Sequence, residues 1–263
     1  MPGEPINETA VRQAVEQHGF DWHYRHNTES TNADVLRYQQ QHQCEVVAVS
    51  EAQSAGRGRR GRQWLSPFAR NIYCTIGIAK EIPASRQGLL SIVTGLALCK
   101  ALQHSTDTNV GLKWPNDLLF EGRKLGCILI ESRPLGEANF YFAVGFGLNI
   151  FMSDQELAEI PQPATSLVQI AATEVDRNRV LMSSIDSVIR SIREFDHSAV
   201  QELITEFALF DALHDSQIEV IAGDSRVKGI NRGITSAGQL QLETEHGIEI
   251  HSAAEISLRA VPE

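Results

Sequence analysis

The sequence predicts an α/β fold of the α+β type, with helices flanking a mixed, mostly antiparallel sheet and a small β-barrel at the C-terminal end. Two observations carry this prediction. As far as about residue 213, short apolar strands occur together with helices, and four of the strands follow one another between residues 110 and 149. The last segment then changes to short strands punctuated by glycines, a spacing typical of a separate small barrel. We therefore predict two domains, 1–213 and 214–263.

In the first half of the chain, periodicity and capping residues predict the elements. Residues 1–19 favour a short helix, and Phe20, Trp22 and Tyr24 alternate with polar residues as in a strand. Ser30 has the chemistry of a helix N-cap. Further elements are predicted for residues 45–50 (strand), 71–79 (strand) and 86–103 (a helix buried on much of its surface).

The second half contains the antiparallel run and the barrel. Strands are predicted for residues 110–113, 118–120, 124–131 and 140–149, and helices for residues 177–195 and 199–213. The barrel strands begin near Ile218, Arg226, Gly238 and Gly247.

Composition excludes several functional classes. The chain is 42% hydrophobic and 21% charged, as in ordinary globular proteins, and no apolar run approaches the roughly 20 residues of a membrane span. We see no signal peptide at the N-terminus. The net charge of −10 argues against a general nucleic-acid-binding protein.

The cysteines indicate a reducing compartment. They are far apart and none forms a C-x-x-C pair, which argues against a zinc site: Cys44, Cys74, Cys99 and Cys127. We expect buried or half-buried thiols in a cytoplasmic protein.

A loop rich in glycine and arginine is the most distinctive segment, Gln53-Ser-Ala-Gly-Arg-Gly-Arg-Arg-Gly-Arg-Gln-Trp64. Its arginines offer bidentate donors to phosphate or carboxylate, and its glycines let backbone amides approach an anion. The loop has the glycine spacing of a P-loop but lacks the lysine and the following Ser or Thr, so we reject that interpretation. A solvated surface loop is the alternative.

The second chemical segment is Lys113-Trp-Pro-Asn-Asp117, followed by Lys124-Leu-Gly-Cys-Ile-Leu-Ile-Glu131. Pro115 makes a rigid corner that constrains the Asn and Asp side chains, and a carboxylate there suits Mg²⁺ bound to ATP. A plain β-turn is the alternative. Lys124 enters an apolar strand and needs an anionic partner, unless it simply snorkels at the strand end.

A lone G-x-G, Gly145-Phe-Gly147, is weak evidence for a dinucleotide site. We expect instead that these glycines let a ligand or a neighbouring backbone approach the end of a strand.

Together these segments resemble the biotin protein ligases, from about residue 28 to the C-terminus. The pieces that match are Glu29-Ser-Thr-Asn32, the arginine loop with Trp64 and Ser66, Lys113-Trp-Pro-Asn-Asp117, Lys124-Leu-x-x-Ile-Leu-x-Glu131 and Val144-Gly-x-Gly-x-Asn149. The resemblance implies a catalytic domain related to class II tRNA synthetases, followed by an SH3-like barrel.

The resemblance also implies a two-step reaction. Biotin and ATP, taken as its Mg²⁺ complex, form biotinyl-5′-adenylate, and the biotinyl group then passes to a lysine of a biotin carboxyl carrier domain. The implied partner is the carrier of acetyl-CoA carboxylase or of another biotin-dependent carboxylase. No tightly bound metal, DNA or membrane partner is implied, and a homodimer is compatible with the resemblance.

Site residues follow from the resemblance position by position. Biotin would be bound by Ser30, Thr31, Asn32, Gln53, Arg57, Gly58, Arg59 and Lys124. ATP or the adenylate would be bound by Arg57, Arg59, Arg60, Arg62, Trp64, Asn116 and Asn149. The catalytic residues would be Lys124, Arg59 and Asp117, the last also as a contact for Mg²⁺ through ATP.

The chain departs from the family pattern in three ways. Only about 28 residues precede the first matching piece, too few for the winged helix-turn-helix of many relatives, so we expect no repressor module. Cys127 and Ala69 each stand where glycine is usual, and a side chain at Cys127 is expected to crowd the ligand.

Two competing functions are left open. One is a lipoate-type ligase on the same scaffold, although this chain lacks the Arg-Arg-x-Ser-Gly-Gly-Gly loop of that family. The other is a non-enzymatic sensor of biotin or its adenylate. Turnover on a carrier domain separates the sensor from the enzyme.

Overall fold

A seven-stranded sheet forms the body of the larger part of the protein. The computed structural model describes residues 5–196, 198–223, 225–253 and 257–260. The strands are β1 (Asp21–Arg25), β2 (Val46–Ser50), β3 (Ile72–Glu81), β4 (Gly111–Lys113), β5 (Asp117–Phe120), β6 (Arg123–Pro134) and β7 (Asn139–Leu148). Their order is β1-β2-β3-β7-β6-β5-β4. Only the pairing of β1 with β2 is parallel among these strands, so the predicted mixed, mostly antiparallel sheet is confirmed.

Helices cover both faces of this sheet. They are α1 (Glu8–Glu16), α2 (Thr31–His42), α3 (Leu89–Thr106), α4 (Asp154–Ala158), α5 (Leu167–Ile170), α6 (Arg177–Glu194) and α7 (Val200–Phe210). The main core joins α3 and α6 to one face of the sheet, through residues such as Ile76, Leu98 and Ile185. A smaller cluster packs Val35 of α2 against Ala143 on the opposite face. Strand alternation puts these two cores on opposite sides, and the polar site lies on the α2 side.

Several boundaries differ from the prediction. The helix predicted for residues 86–103 begins at Leu89, after a 3₁₀ turn at Ala84–Arg86, and continues to Thr106. The last helix ends at Phe210 rather than at residue 213. The short helices α4 and α5 were not predicted, because segments of five and four residues carry no periodicity that a sequence pattern can reveal.

The C-terminal part is a five-stranded antiparallel sheet. Its strands are β8 (Gln217–Ala222), β9 (Ser225–Ile234), β10 (Leu240–Thr244), β11 (Gly247–His251) and β12 (Ser257–Ala260), in the order β11-β10-β9-β8-β12. The strand β12 was not predicted. Side chains tie this sheet to the larger part: Trp114 Nε1 donates to Gly238 O at 2.9 Å, and Asn231 Nδ2 donates to Asp211 Oδ2 at 2.7 Å. Both bonds are buried.

Further features bear on the predicted class of protein. Among the described residues, none of the helices has the length and apolar character needed to cross a membrane. The same residues contain no cluster of three or more His, Cys, Asp or Glu side chains that would hold a metal ion. Cys74, Cys99 and Cys127 are free and buried, and Cys44 is free and half-buried, as predicted.

Candidate active site

A small pocket opens on the α2 side of the seven-stranded sheet, between the start of α2, the arginine loop and strands β3, β6 and β7. Its wall consists of Ser30, Thr31, Asn32, Gln53, Arg57, Trp64, Cys74, Cys127, Leu129, Gly145, Phe146 and Gly147. The predicted site residues Gly58, Arg59, Arg60, Arg62, Asn116, Asp117, Lys124 and Asn149 are outside this wall. The predicted set therefore divides into a pocket and a neighbouring group, which meet at Trp64.

Two glycines of β7 make the room for the pocket wall. Gly145 pairs with Leu129, and Gly147 pairs with Cys127, so all four point to the same face. A Cβ on Gly145 would lie 2.1 Å from Asn32 Oδ1, and one on Gly147 would lie 2.7 Å from Trp64 Nε1. The two glycines do permit a close approach, but the atoms that come closest belong to side chains, not to the ligand or neighbouring backbone that was expected there. What approaches them is the pair of side chains Asn32 and Trp64.

The start of α2 is capped in an unexpected way. Ser30 occupies the N-cap position, as predicted, but its side chain makes no capping hydrogen bond within the described structure. Gln53 Oε1 instead accepts a hydrogen bond from Thr31 N at 3.0 Å. The carboxamide of Gln53 therefore satisfies one of the free amides at the helix start. This arrangement does not use the buried Ser30 hydroxyl for capping.

Two polar residues without an assigned role organise the pocket. The Thr75 hydroxyl lies 2.8 Å from Thr31 Oγ1 and 2.7 Å from Asn32 Oδ1. Asn32 Nδ2 donates to Glu131 Oε2 at 2.8 Å, and Arg57 Nη2 lies 3.0 Å from Glu131 Oε1. Glu131 thus links the helix to the arginine loop. Thr75 had a weak signal in the sequence, as a polar residue inside an otherwise apolar strand.

Asp117 holds two lysines beside the pocket. Lys124 Nζ lies 2.7 Å from Asp117 Oδ1, and Lys113 Nζ lies 3.5 Å from Asp117 Oδ2. All three side chains are less than one-fifth exposed, at 15%, 18% and 17% for Lys124, Lys113 and Asp117. Lys124 Nζ also lies 5.5 Å from the centroid of the Trp64 ring, a cation–π contact. Of the two interpretations of Lys124 left open above, the structure shows the anionic partner, which is Asp117.

Burial acts to lower the pKa of both lysines, but their charged neighbours change the net result. Burial lowers the pKa of Lys113 more than the Asp117 carboxylate raises it. For Lys124, burial also acts to lower the pKa, but attraction to the Cys127 thiolate, once that thiol has ionised, and to the Asp117 carboxylate outweighs it, and the pKa lies above the usual value. Arg62 acts to lower the pKa of both lysines, so it adds to the same positive field. Lys124 is therefore fully charged at neutral pH.

The arginine loop folds into a tight turn. Arg59–Gly61 form a 3₁₀ turn in which Arg60 has φ 60°, and Arg57 bridges back to Gln63. Arg59 is half-buried, and burial lowers the pKa of its guanidinium. It donates to Asn116 Oδ1 at 3.4 Å and also to Ala253 O.

The arrangement separates Arg59 from the other three arginines of the loop. Arg57, Arg60 and Arg62 are exposed. Among the arginines of this turn, Arg59 alone therefore connects the loop to Asn116, which follows Pro115.

Two predicted nucleotide residues carry polar atoms without a partner. Trp64 Nε1 and Asn149 Oδ1 are buried and make no hydrogen bond with any described residue. Asn149 Nδ2 donates to Thr165 O at 3.1 Å, and Asn149 N donates to Leu125 O at 2.9 Å. Such groups are costly to bury unless something satisfies them. A polar ligand is one way to satisfy them.

The two departures from the family pattern differ in consequence. Cys127 faces the pocket, so its side chain occupies space that a glycine would leave open. Ala69 is buried and has φ 55°, in the left-handed region that favours glycine. The preference for glycine at position 69 thus reflects the backbone, whereas at position 127 the side chain occupies part of the pocket.

Comparison with known proteins places the chain in a family. Residues 22–149 match the Biotin/lipoate A/B protein ligase family, and residues 213–259 match the Biotin protein ligase C terminal domain. A biotin–acetyl-CoA-carboxylase ligase of Mycobacterium tuberculosis is 30% identical over 268 residues, covering 96% of this chain and 95% of the relative. The chain belongs to the biotin protein ligase family. The predicted resemblance is confirmed.

Further relatives agree with this membership. A protein named bifunctional ligase/repressor BirA from Salmonella typhimurium is 35% identical over 216 residues, covering 81% of this chain. The matching region spans 67% of that relative's length. The solved structure of the biotin protein ligase from Aquifex aeolicus in complex with biotin and ATP has a TM-score of 0.76 and 25% identity, covering 92% of this chain and 99% of that one. The biotin protein ligase fold that the sequence predicted for this chain is therefore confirmed.

Proposed function

We propose that this chain is an ATP-dependent ligase that activates biotin as biotinyl-5′-adenylate and transfers the biotinyl group to a lysine of a biotin carboxyl carrier domain. One observation carries the proposal: a pocket lined by hydrogen-bonding groups adjoins a buried lysine at Trp64, where Lys124 Nζ is 5.5 Å from the ring. A neutral polar head group fits the pocket, and an anionic tail fits the neighbouring cations. Biotin has both parts.

We assign the biotin ring system to the end of the pocket formed by the start of α2. Ser30, Thr31, Asn32 and Gln53 supply hydroxyl, amide and carbonyl groups there, and Thr75 holds two of them in place. A ureido group needs both donors and acceptors, and this set contains both. The carboxylate end then points toward Trp64 and Lys124. Arg57, Gly58 and Arg59 close over it.

In the first step, a biotin carboxylate oxygen attacks the α-phosphorus of ATP, and the bond from that phosphorus to the bridging oxygen of pyrophosphate breaks. The carboxylate and the triphosphate repel each other, so fixed cations lower the barrier. Lys124 and Arg59 supply this charge at the reacting groups. The nucleotide would be held by Arg60, Arg62, Trp64, Asn116 and Asn149. Asp117 would supply a carboxylate oxygen to the Mg²⁺ that accompanies ATP.

In the second step, the uncharged amine of a carrier lysine attacks the carbonyl of the mixed anhydride, and AMP leaves with the electron pair of the broken carbon–oxygen bond. The attacking amine loses a proton as the amide forms. Asp117 is the proposed acceptor, since its largely buried carboxylate lies beside the pocket, 2.7 Å from Lys124 Nζ. The arginine loop shelters the anhydride from water until the carrier arrives.

The proposal extends to partner, location and domains. The carrier belongs to acetyl-CoA carboxylase or another biotin-dependent carboxylase, and the reaction takes place in the cytoplasm, which the free thiols support. The net charge of −10 supports a role without DNA. A boundary between residues 213 and 214 is supported by the start of β8 at Gln217.

Exchange of labelled pyrophosphate into ATP tests the first step. The protein should catalyse exchange when biotin is added and should not do so with lipoate in place of biotin. Exchange that depends on lipoate would replace this proposal with the lipoate-type ligase. Tight biotin binding without exchange would support the sensor.

A further inference from the structure

A buried ion pair lies at the base of the arginine loop, away from the pocket. Strands β2 and β3 form an antiparallel pair whose last matched residues are Ser50 and Tyr73. The chain between them leaves the sheet after Ser50, forms the arginine loop and returns at Ile72. The two ends of this loop segment, residues 51–71, therefore lie side by side. Whatever holds these ends together limits how far the loop opens.

Arg177 of α6 contacts both ends. Its Nη1 atom lies 2.8 Å from Glu51 Oε2 and donates to Asn71 O at 3.3 Å. The side chains of Arg177 and Glu51 are each 1% exposed. Glu51 is the first residue of the loop segment, and Asn71 is its last. One guanidinium thus fastens the beginning of the loop segment to its end.

Glu51 collects further bonds. Its Oε1 atom accepts from Ile6 N at 2.8 Å and from Tyr24 Oη at 3.0 Å, and its backbone carbonyl accepts from Ala69 N at 3.0 Å. The first two bonds fix the orientation of the carboxylate. The third draws the returning chain toward the departing one. The carboxylate is thus positioned by bonds from outside the loop.

Asn71 connects the same base to the nucleotide side. Asn71 Oδ1 accepts from Ile150 N at 3.0 Å, and Ile150 directly follows the candidate residue Asn149. The two segments that carry Arg59 and Asn149 therefore share one anchor. A change at Arg177 would reach both of them without touching a ligand.

We propose that Arg177 and Glu51 are positioning residues that clamp the base of the arginine loop and so set how long the loop stays closed over the adenylate. The link to the adenylate rests on the proposed function, whereas the clamping of the loop does not. A buried ion pair is weak evidence for stability, because desolvation offsets most of the attraction. Its placement across both ends of one loop indicates a specific mechanical role instead.

Lysine cannot replace Arg177 in this role. The Nη1 atom of Arg177 makes both contacts, and it lies one atom farther along the side chain than the Nζ atom of a lysine does. The ammonium of lysine is also a compact charge on a flexible stem, whereas the guanidinium is a rigid plane. Arg177→Lys keeps the buried charge beside Glu51, but its shorter side chain does not bring the ammonium to Asn71 O as well. The variant therefore loosens the loop base while leaving no carboxylate unpaired.

Arg193 provides a matched control on the same helix. Its Nη2 atom lies 3.1 Å from Glu45 Oε2 and donates to His18 O at 3.0 Å, so it too joins a carboxylate to a backbone carbonyl. It contacts neither end of the loop segment. Arg193→Lys makes the same chemical change at a site where no effect on the loop is expected.

Limited trypsin digestion measures the clamp directly, because the loop contains the cleavage sites Arg57, Arg59, Arg60 and Arg62. Cleavage within the loop, identified by peptide mass, should be on the order of tenfold faster in Arg177→Lys, since cleavage tracks the open population. Arg193→Lys should cleave like the unmodified protein. Equal loop cleavage in Arg177→Lys and Arg193→Lys, with both folded, would overturn the proposal.

A second variant keeps the test decisive if Arg177→Lys does not fold. The double variant Glu51→Gln with Arg177→Met removes both charges. It keeps an acceptor for Ile6 N and Tyr24 Oη and preserves the side-chain volume. Replacing a buried ion pair by uncharged side chains of similar volume is often neutral for stability. It should show the same rapid loop cleavage. Slow cleavage in this folded double variant would also overturn the clamp.

Escape of the adenylate provides the functional readout. With biotin and MgATP present, Arg177→Lys should label a bystander protein about tenfold more than Arg193→Lys does, by mass action on the open state. Faster loop cleavage together with unchanged bystander labelling would overturn the adenylate role and keep the mechanical one. If no variant and no unmodified protein forms adenylate, the proposed function fails, and the cleavage result still decides the clamp.

Discussion

Lys124 Nζ lies 2.7 Å from Asp117 Oδ1 because a bulge interrupts the pairing of β5 with β6. Leu118 pairs with Gly126, but Leu119 pairs with Lys124, so one extra residue, Leu125, is inserted in β6. Without it, strand alternation from Cys127 would turn Lys124 to the core face. The bulge turns Leu125 into the core and Lys124 toward the site.

Lys124→Ala should abolish adenylate formation. The ammonium of this largely buried lysine lies 5.5 Å from the ring of the pocket residue Trp64, and losing one preorganised donor of this kind costs about 10²–10³ in rate. Biotin-dependent pyrophosphate release is the measurement, and Lys228→Ala, an exposed change in the C-terminal sheet, is the control. An undiminished rate of adenylate formation would reject the assignment of Lys124.

Arg59→Gly should release the adenylate early and label nearby lysines without selection. Arg59 is the half-buried arginine that joins the loop to Asn116, at 3.4 Å, and glycine removes that tie and the charge. Labelling of a bystander protein should rise on the order of tenfold, as expected for the loss of one charge-assisted contact. The measurement is bystander labelling, with the exposed Arg226→Gly as control. Labelling confined to the carrier would count against this role.

Gly147→Ala should weaken ligand binding without unfolding the protein. The added Cβ would lie 2.7–3.0 Å from atoms of the Trp64 indole, so the ring must shift away from the pocket wall. We expect the biotin Kd to rise at least tenfold, because a loss of only about 1.4 kcal/mol of binding free energy raises Kd tenfold. Gly136→Ala, whose Cβ would meet nothing within 4 Å, is the control in the same calorimetric titration. Equal affinities of the two variants would contradict the proposed position of Trp64.

Cys127→Gly should tighten biotin binding. The cysteine side chain faces the pocket opposite Gly147, and its removal opens space for the ligand. A gain of up to about tenfold in affinity is expected, against a stability loss of about 0.5–1 kcal/mol for glycine within a strand. Isothermal titration with biotin and thermal unfolding measure the two effects. Cys99→Ala, buried in α3, should leave the affinity unchanged, and a weaker affinity in Cys127→Gly would show that the side chain supports the ligand.

Alkylation of Cys127 should be slow at neutral pH and steeply dependent on pH. Burial raises the pKa of the Cys127 thiol to about 11, although Lys124 opposes the shift. Only the thiolate reacts, so the rate should rise about tenfold for each pH unit between pH 7 and pH 9. Peptide mass spectrometry after iodoacetamide treatment follows the reaction.

Biotin should protect Cys127 from alkylation and should not protect Cys44, which is half-buried outside the pocket and serves as an internal control. A rate at Cys127 that is independent of biotin would remove this thiol from the ligand site.

The sequence predicted the larger elements of the fold for a physical reason. Long apolar strands and the buried helix α3 carry periodicity that survives tertiary packing, and these elements define the sheet and its cover. Short elements such as α4 depend on a local capping box, formed by Ser153 and Glu156, and contribute too few residues to a pattern.

The candidate site could be predicted only in part. The residue types of Lys124 and Asp117 indicated their chemistry in the sequence. Their contact, however, depends on a bulge that adds a single residue, and no distinctive residue type marks that bulge in the sequence. Ser30 occupies the predicted N-cap position, but its side chain does not make the capping hydrogen bond. Gln53 makes that bond instead, to Thr31 N, from 22 positions away in the sequence. The pair of Glu51 and Arg177 spans still more of the chain, and residues so distant come together only through the fold.

The central claim is transfer of biotin to a carrier, and intact mass of a biotin carboxyl carrier domain tests it most directly. The domain would be incubated with this protein, biotin and MgATP, beside samples without ATP and with lipoate instead of biotin. The carrier should gain one biotinyl group, and only when both biotin and ATP are present. A carrier of unchanged mass, while the protein binds biotin measurably, would rule out the ligase function and assign the pocket to a sensor.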